Sequence, residues 1–284
     1  MLILGCQVSS AGKIYEAVAR AKKLGCNTMQ IFVRNPRQWR KSSLGPEDIA
    51  LFKERVAQEH INPVIAHIPY TLNLASIKQS FHKVTIREFI QDLLEAHKLG
   101  IQFLVTHPGS HKGGTEEEGL EKISQGLKKI LKETKKNAST QILLENTAGS
   151  GRWLGYKFSQ LRVIFEALKW SERLGLCLDT AHAWAAGYKI DEREGVEALV
   201  AEIDREVGLD RLKVIHVNDT KDKLDSRRDR HADIGAGQIG KKGFYYIVNH
   251  AKLSHVAFIL ETPKDSDEDD IRNLGVIRKL YSGG

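Results

Sequence analysis

Short apolar runs recur along the chain at intervals suited to a strand and a helix apiece. They are "LILGCQV" from Leu2, "TMQIFV" from Thr28, "PVIAHI" from Pro63, "FLVTHP" from Phe103, "QILLEN" from Gln141, "GLCLDT" from Gly175, "LKVIHV" from Leu212 and "AFILET" from Ala257. None alternates polar with apolar residues, so each suits a strand of a parallel sheet covered on both faces. The segments between them carry helical spacing, as in Ile86, Phe89, Ile90, Leu93 and Leu94, which fall on one stripe. End signals agree. Thr115 with Glu118 predicts a capping box, Pro46 followed by Glu47 and Asp48 predicts a first helical turn, and Gly100 predicts a helix end. No Pro/Gly/Ser-rich linker or low-complexity segment interrupts the series. Eight strand-helix units in 284 residues therefore predict one domain over 1–284, a single closed (β/α)8 barrel of the TIM type, with an open doubly wound sheet as the alternative.

The polar residues at the ends of these runs separate the two architectures. "PVIAH" ends at His67, "FLVTH" at His107, "QILLE" at Glu145, "GLCLD" at Asp179, "LKVIH" at His216 and "AFILE" at Glu261. A barrel brings all strand C-termini to one face. A lone histidine after an apolar run is most often a hydrogen-bonded core residue; six such groups converging would repel and desolvate one another unless divalent cations held them. Imidazole and carboxylate without thiolate suit zinc, manganese or iron better than calcium or magnesium. Four groups fill one zinc shell, so six ligands imply more than one ion, with Glu145 or Glu261 as the bridge. Two ions about 4 Å apart are suited to phosphoester hydrolysis. His182, three residues past Asp179, and the alternating pair Asp229 and His231 can make a third site, with Arg230 turned to the opposite side.

The remaining histidines read differently. His60, His82, His97, His250 and His255 are expected in packing or surface roles, and His111 is a candidate substrate contact. "RNPRQWR", Arg34 to Arg40, interleaves arginines with Trp39 directly after the second strand, a combination fit for phosphates and exposed bases. Tyr70 can enter a groove or stack. Gly235 and Gly237 do not lead from a strand into a phosphate-binding helix, so no dinucleotide fingerprint is assigned. A formal charge of +7 and pI near 9.2 favour a polyanionic partner. Cys6, Cys26 and Cys177 are odd in number and widely spaced, which fits a reducing compartment. "MLILGCQVSSAGK" turns polar too early for a secretory signal, and no run of about 18 apolar residues occurs, so a cytoplasmic protein is expected.

With these residues in view, the whole chain resembles the endonuclease IV family, the zinc-dependent apurinic/apyrimidinic endonucleases of base-excision repair. The most specific stretches are "HPGSH", "LLENTAG", "DTAHAWAAGY", "HVNDTK" and "DRHADIGAGQIG". The resemblance implies three zinc ions, with manganese an option at one site: His67, His107 and Glu145 on one; Glu145, Asp179, His216 and Glu261 on the second; His182, Asp229 and His231 on the third. It implies incision 5′ to an abasic site in duplex DNA, leaving a 3′-hydroxyl, and removal of 3′-blocking groups, with Glu145 or Glu261 holding or deprotonating the attacking water. The abasic nucleotide is flipped out of a bent duplex. Arg37 and Tyr70 match the residues that enter the DNA, Arg228 and Arg230 are expected phosphate contacts, and a monomer is expected. Two departures stand out. Gln7 occupies the place of the His in the family's Gly-x-His-Val-Ser, which puts in doubt a contact behind the ligands or to DNA; Ala181 replaces the Cys of "DTCH", which costs no ligand.

Two other function classes are compatible with parts of this pattern. A sugar isomerase or epimerase also places His, Asp and Glu at barrel strand ends around one or two ions, but has no use for His182, Asp229 and His231 or for the arginine-rich loop. A non-catalytic nucleic-acid binder would use the basic surface and not the converging carboxylates.

Overall fold

A computed structural model describes residues 1–34 and 44–283. Eight parallel strands form one sheet: β1 (Leu4–Cys6), β2 (Met29–Phe32), β3 (Val64–His67), β4 (Phe103–Thr106), β5 (Gln141–Glu145), β6 (Leu174–Asp179), β7 (Leu212–His216) and β8 (Ala257–Leu260). They pair in the order β1-β8-β7-β6-β5-β4-β3-β2. The two ends of that order, β1 and β2, meet through a parallel bridge between Gln7 and Gln30, where the Val8 amide donates to the Gln30 carbonyl at 2.8 Å. The sheet thereby closes into the expected (β/α)8 barrel. Gly5 makes that seam possible: a Cβ built there would lie 1.9 Å from the Thr28 carbonyl oxygen, a distance no side chain tolerates.

The helices are α1 (Glu16–Lys23), α2 (Pro46–Gln58), α3 (Gln79–Lys98), α4 (Glu116–Glu133), α5 (Phe158–Ala167), α6 (Thr180–Ala185), α7 (Arg193–Glu206), α8 (Gly240–Val248) and α9 (Asp267–Leu280). Their apolar stripes, such as Ile86, Phe89 and Leu93 of α3, pack on the outer faces of the strands in one continuous core. The local signals act where expected. Pro46 starts α2, the Thr115 hydroxyl and Glu118 carboxylate form the capping box of α4, and Gly100 follows α3 with φ of +74°. None of these helices is long and apolar enough to cross a membrane.

Inside the barrel a second, smaller core collects Ile65, Val105, Leu143, Cys177, Val214, Ala257 and Ile259. Because successive strand residues face opposite sides, the position two residues further along each of six strands points back into the barrel interior. Those positions are His67, His107, Glu145, Asp179, His216 and Glu261. The apolar layer is thus a floor, and the polar layer lies on it at the C-terminal mouth. Helical cover on the outside makes both faces apolar, which is why no alternation is visible along the strands.

Candidate metal centre

Glu145 is the hub of the polar layer. Its buried Oε2 lies 3.0 Å from His67 Nε2 and 3.2 Å from His107 Nε2, while Oε1 lies 3.1 Å from His216 Nδ1 and 3.4 Å from His182 Nδ1. His216 Nδ1 also approaches Glu261 Oε2 at 3.2 Å and Asp179 Oδ2 at 3.9 Å. Each of three groups offers ligand atoms all within 4.8 Å of one another: His67, His107 and Glu145; Glu145, Asp179, His216 and Glu261; and Asp179, His182 and His231. The third group differs from the set expected from sequence in containing Asp179. Asp229 remains beside it, with Oδ2 3.1 Å from His182 Nε2 and Oδ1 3.1 Å from His231 Nε2.

Local structure explains how His182 and His231 reach the cavity. Asp179 ends β6 and also caps α6, its Oδ1 accepting from the His182 amide at 2.8 Å, so His182 sits one turn on and faces back over the strand end. His231 lies in a two-residue strand, His231–Ala232, paired antiparallel with Asp219–Thr220 beyond β7. The buried Asp219 carboxylate pins that loop by accepting from the backbone amides of Thr220, Gly235, Gly237, Ile239 and Gly240. Arg230 points away, as the alternation predicts, and its guanidinium pairs with Asp222.

The donor set fits divalent cations. His67 Nδ1 is hydrogen-bonded to the Ile68 carbonyl at 2.7 Å, His182 Nδ1 to that of Asn146 at 2.9 Å and His231 Nδ1 to that of Glu261 at 3.0 Å. In each case Nδ1 must donate, because a carbonyl only accepts, and a neutral ring then presents a bare Nε2 to the cavity, the arrangement that metal-binding imidazoles share. His231 Nε2 is buried and faces Asp229 Oδ1 at 3.1 Å. The same carboxylates that would attract cations also favour protons on these rings. Burial opposes charge on His182 and His216, yet Asp179 beside the first, and Cys177, Glu261 and Glu145 beside the second, hold both imidazoles well above the usual histidine range. His231, also opposed by burial, is raised to about 9 by Asp229 and Asp179. Burial would raise Glu145, but the rings of His107 and His216 keep it well below the usual carboxylate range.

Amides behind the ligands complete the site, and the sequence reading passed over them. Asn218 Nδ2 donates to Asp179 Oδ2 at 2.6 Å, and its Oδ1 accepts from the Glu261 amide at 2.8 Å. Asn146 Oδ1 accepts from the Asp179 amide at 2.6 Å. Both follow a ligand closely in the chain, in "LLEN" and "HVND", and that adjacency is the signal that could have found them. Trp153, also missed, stands edge-on to His107 with ring centroids 5.6 Å apart and walls a cavity of about 330 Å³ together with Tyr70, His182 and Asp229. Tyr70 is 58% exposed at its rim. Arg37 and Trp39 lie outside the described residues. Arg228 is in the loop before His231. His111 bonds within its own turn, Nδ1 to the Gly114 carbonyl at 2.9 Å, and His82 is buried with Nε2 3.0 Å from the Lys122 carbonyl.

Residues 18–280 match the family model described as a xylose isomerase-like TIM barrel. The chain is 41% identical over 280 residues to a protein of Chloroflexus aurantiacus named "Probable endonuclease 4", covering 98% of each. The crystal structure of endonuclease IV from Thermus thermophilus superposes with a TM-score of 0.87 at 33% identity, over 98% of both chains. The chain belongs to the endonuclease IV family. Membership makes it a metal-dependent endonuclease of the apurinic/apyrimidinic type. A D-tagatose 3-epimerase-like protein shares the barrel, with a TM-score of 0.71 at 18% identity over 97% of this chain, and that likeness speaks to fold alone. On that barrel this chain carries a further group, His182 in the first turn of α6 and Asp229 and His231 on the loop after β7.

Proposed function

We propose that the chain incises duplex DNA on the 5′ side of an abasic site, leaving a 3′-hydroxyl, and clears blocked 3′ ends, using three zinc ions held at the barrel mouth, with manganese able to replace one. The observation that carries this reading is the sharing of carboxylates between groups of ligand atoms: Glu145 belongs to two of the three and Asp179 to two. Isolated sites would not need common members. In this reading His67, His107 and Glu145 hold one ion, Glu145, Asp179, His216 and Glu261 the second, and His182, Asp229 and His231 the third, with Asp179 close enough to contribute.

Zinc bound here would activate water and neutralise charge on the attacked phosphate. The residues do the rest. Glu145 or Glu261 orients the attacking water and takes its proton. The carbonyls of Ile68, Asn146 and Glu261 keep three imidazoles in one tautomer. Tyr70, at the rim of the cavity beside Asp229, enters the duplex together with Arg37, and Arg228 and Arg230 hold backbone phosphates; for Arg230 this means exchanging its Asp222 partner. The net charge of +7 favours that polyanion. The protein works in this reading as a cytoplasmic monomer built of one domain. Incubation with a duplex carrying one tetrahydrofuran residue, with and without chelator, tests it: metal-dependent incision 5′ to the lesion is expected, and turnover of a ketose without incision would favour the epimerase reading.

A further inference from the structure

Gln30 faces inward from β2 at the level of the polar layer, and it is fully buried. Its amide nitrogen donates to Glu261 Oε1 at 2.6 Å and to Gln7 Oε1 at 2.9 Å, and its oxygen accepts from His216 Nε2 at 2.9 Å. A primary amide has two N–H donors, so both are used, and the direction of every bond in the chain is fixed. Since a carboxylate can only accept, the nitrogen must face Glu261 and the oxygen must face His216. The proton of a neutral His216 ring is then on Nε2, and Nδ1 is bare toward Glu145 and Glu261.

The same two glutamines make the backbone bridge that closes β1 onto β2. Gln7 stands where the family pattern has His. Its backbone is tied to β8, the strand that leads into Glu261, through its amide on the Leu260 carbonyl at 2.8 Å, and its own carbonyl accepts from Lys264 at 2.7 Å. The outer member of the chain is therefore held firmly, and it holds Gln30.

We infer that Gln30, anchored by Gln7, is a positioning residue that sets the orientation of Glu261 and the tautomer of His216, and so controls the affinity of the second ion and the turnover number. This rests on the proposed metal centre. Outer partners of this kind typically alter metal affinity or activity about 10- to 100-fold. The hydrogen bonds of Gln30 and Gln7 reach none of Tyr70, Arg228 and Arg230, so substrate binding should be unaffected.

Gln30→Met keeps the volume and removes all three hydrogen bonds; Gln7→Leu removes only the outer one. Wild type and both variants are loaded with cobalt, and the visible absorption, the metal retained against graded chelator, and kcat and KM on the tetrahydrofuran duplex are compared. Expected for Gln30→Met are an altered cobalt spectrum, retention of one ion weakened about 10- to 100-fold, kcat lowered by a similar factor and KM unchanged. Gln7→Leu should move the same quantities in the same direction by less, and it carries the test if Gln30→Met does not fold. Wild-type spectrum, retention and kcat in a folded variant would overturn the role of Gln30, because packing alone would then account for it. A wild type that takes up no metal would instead show the metal-centre reading to be wrong, and the proposal would fall with it.

Discussion

The candidate metal centre has two halves built in different ways. His67, Glu145, Asp179 and His216 are the last residues of barrel strands, and each stands two residues beyond a floor of Ile65, Leu143, Cys177 and Val214. Asp229 and His231 are carried by a loop that no barrel strand contains, and the Asp229 side chain is 47% exposed. Backbone pairing around the barrel fixes the first half. The second depends on one buried carboxylate, Asp219, which gathers five backbone amides of the loop. The barrel itself can thus supply the first half, while the second needs a fastening of its own.

Breaking the strand-borne half should have the largest effect. Glu145→Gln removes the negative charge and turns one of the two oxygens, the one common to His67 and His107 or the one facing His216, into an amide nitrogen that cannot hold a cation. Incision is expected to fall on the order of 10²- to 10³-fold, with circular dichroism unchanged, as measured by single-turnover kinetics on an abasic duplex. The fastening of the other half comes next. Asp219→Ala leaves buried amides without their acceptor, and a loss of about 2–4 kcal/mol is expected in urea unfolding, together with weaker binding at the third group. By contrast, Asp229→Ala touches a partly exposed residue. It should lower the midpoint of unfolding by less than Asp219→Ala does while lowering incision about 10- to 100-fold, and a larger fall in stability would show that the loop is not independent of the barrel.

The smallest effect is on pH dependence, and it concerns both halves. With no ions bound, His231, raised to about 9, stabilises the folded chain fully below the unfolded histidine value of about 6.5, and that contribution is lost as pH rises through about 9. Glu145 has the opposite sign: held below its ordinary value, it stabilises the fold above about 4.3, and this is lost as pH falls. Stability of the chelated protein should therefore peak between about pH 4.5 and 6.5 in a series of thermal melts. Ion binding must expel the imidazole protons, so metal affinity should rise with pH over the range where chelated stability falls. A chelated protein more stable at pH 9 than at pH 6 would contradict this picture.

How much of this could be read from sequence follows from the same contrast. All eight strands were legible, because a strand covered on both faces is a short apolar run bounded by polar residues. His107 and Glu261 lie one residue beyond Thr106 and Leu260, where the strands end, so only boundaries moved. The residues that converge at the mouth were legible because a His or carboxylate after such a run is conspicuous. Their neighbourhoods were not: that Asp179 serves both as helix cap and as a member of the second and third groups comes from the turn into α6, which spacing alone did not reveal. Gln30 was invisible for a different reason. An amide within a strand has no distinguishing pattern, and its partners, Glu261 and His216, come from other strands.

Metal analysis of the native protein, purified without chelator and set beside Asp229→Ala, separates the two halves. Three divalent ions per chain are expected in the native protein and two in the variant, with the remaining pair retained. One ion per chain in both would contradict this, leaving the loop-borne residues without the role assigned to them.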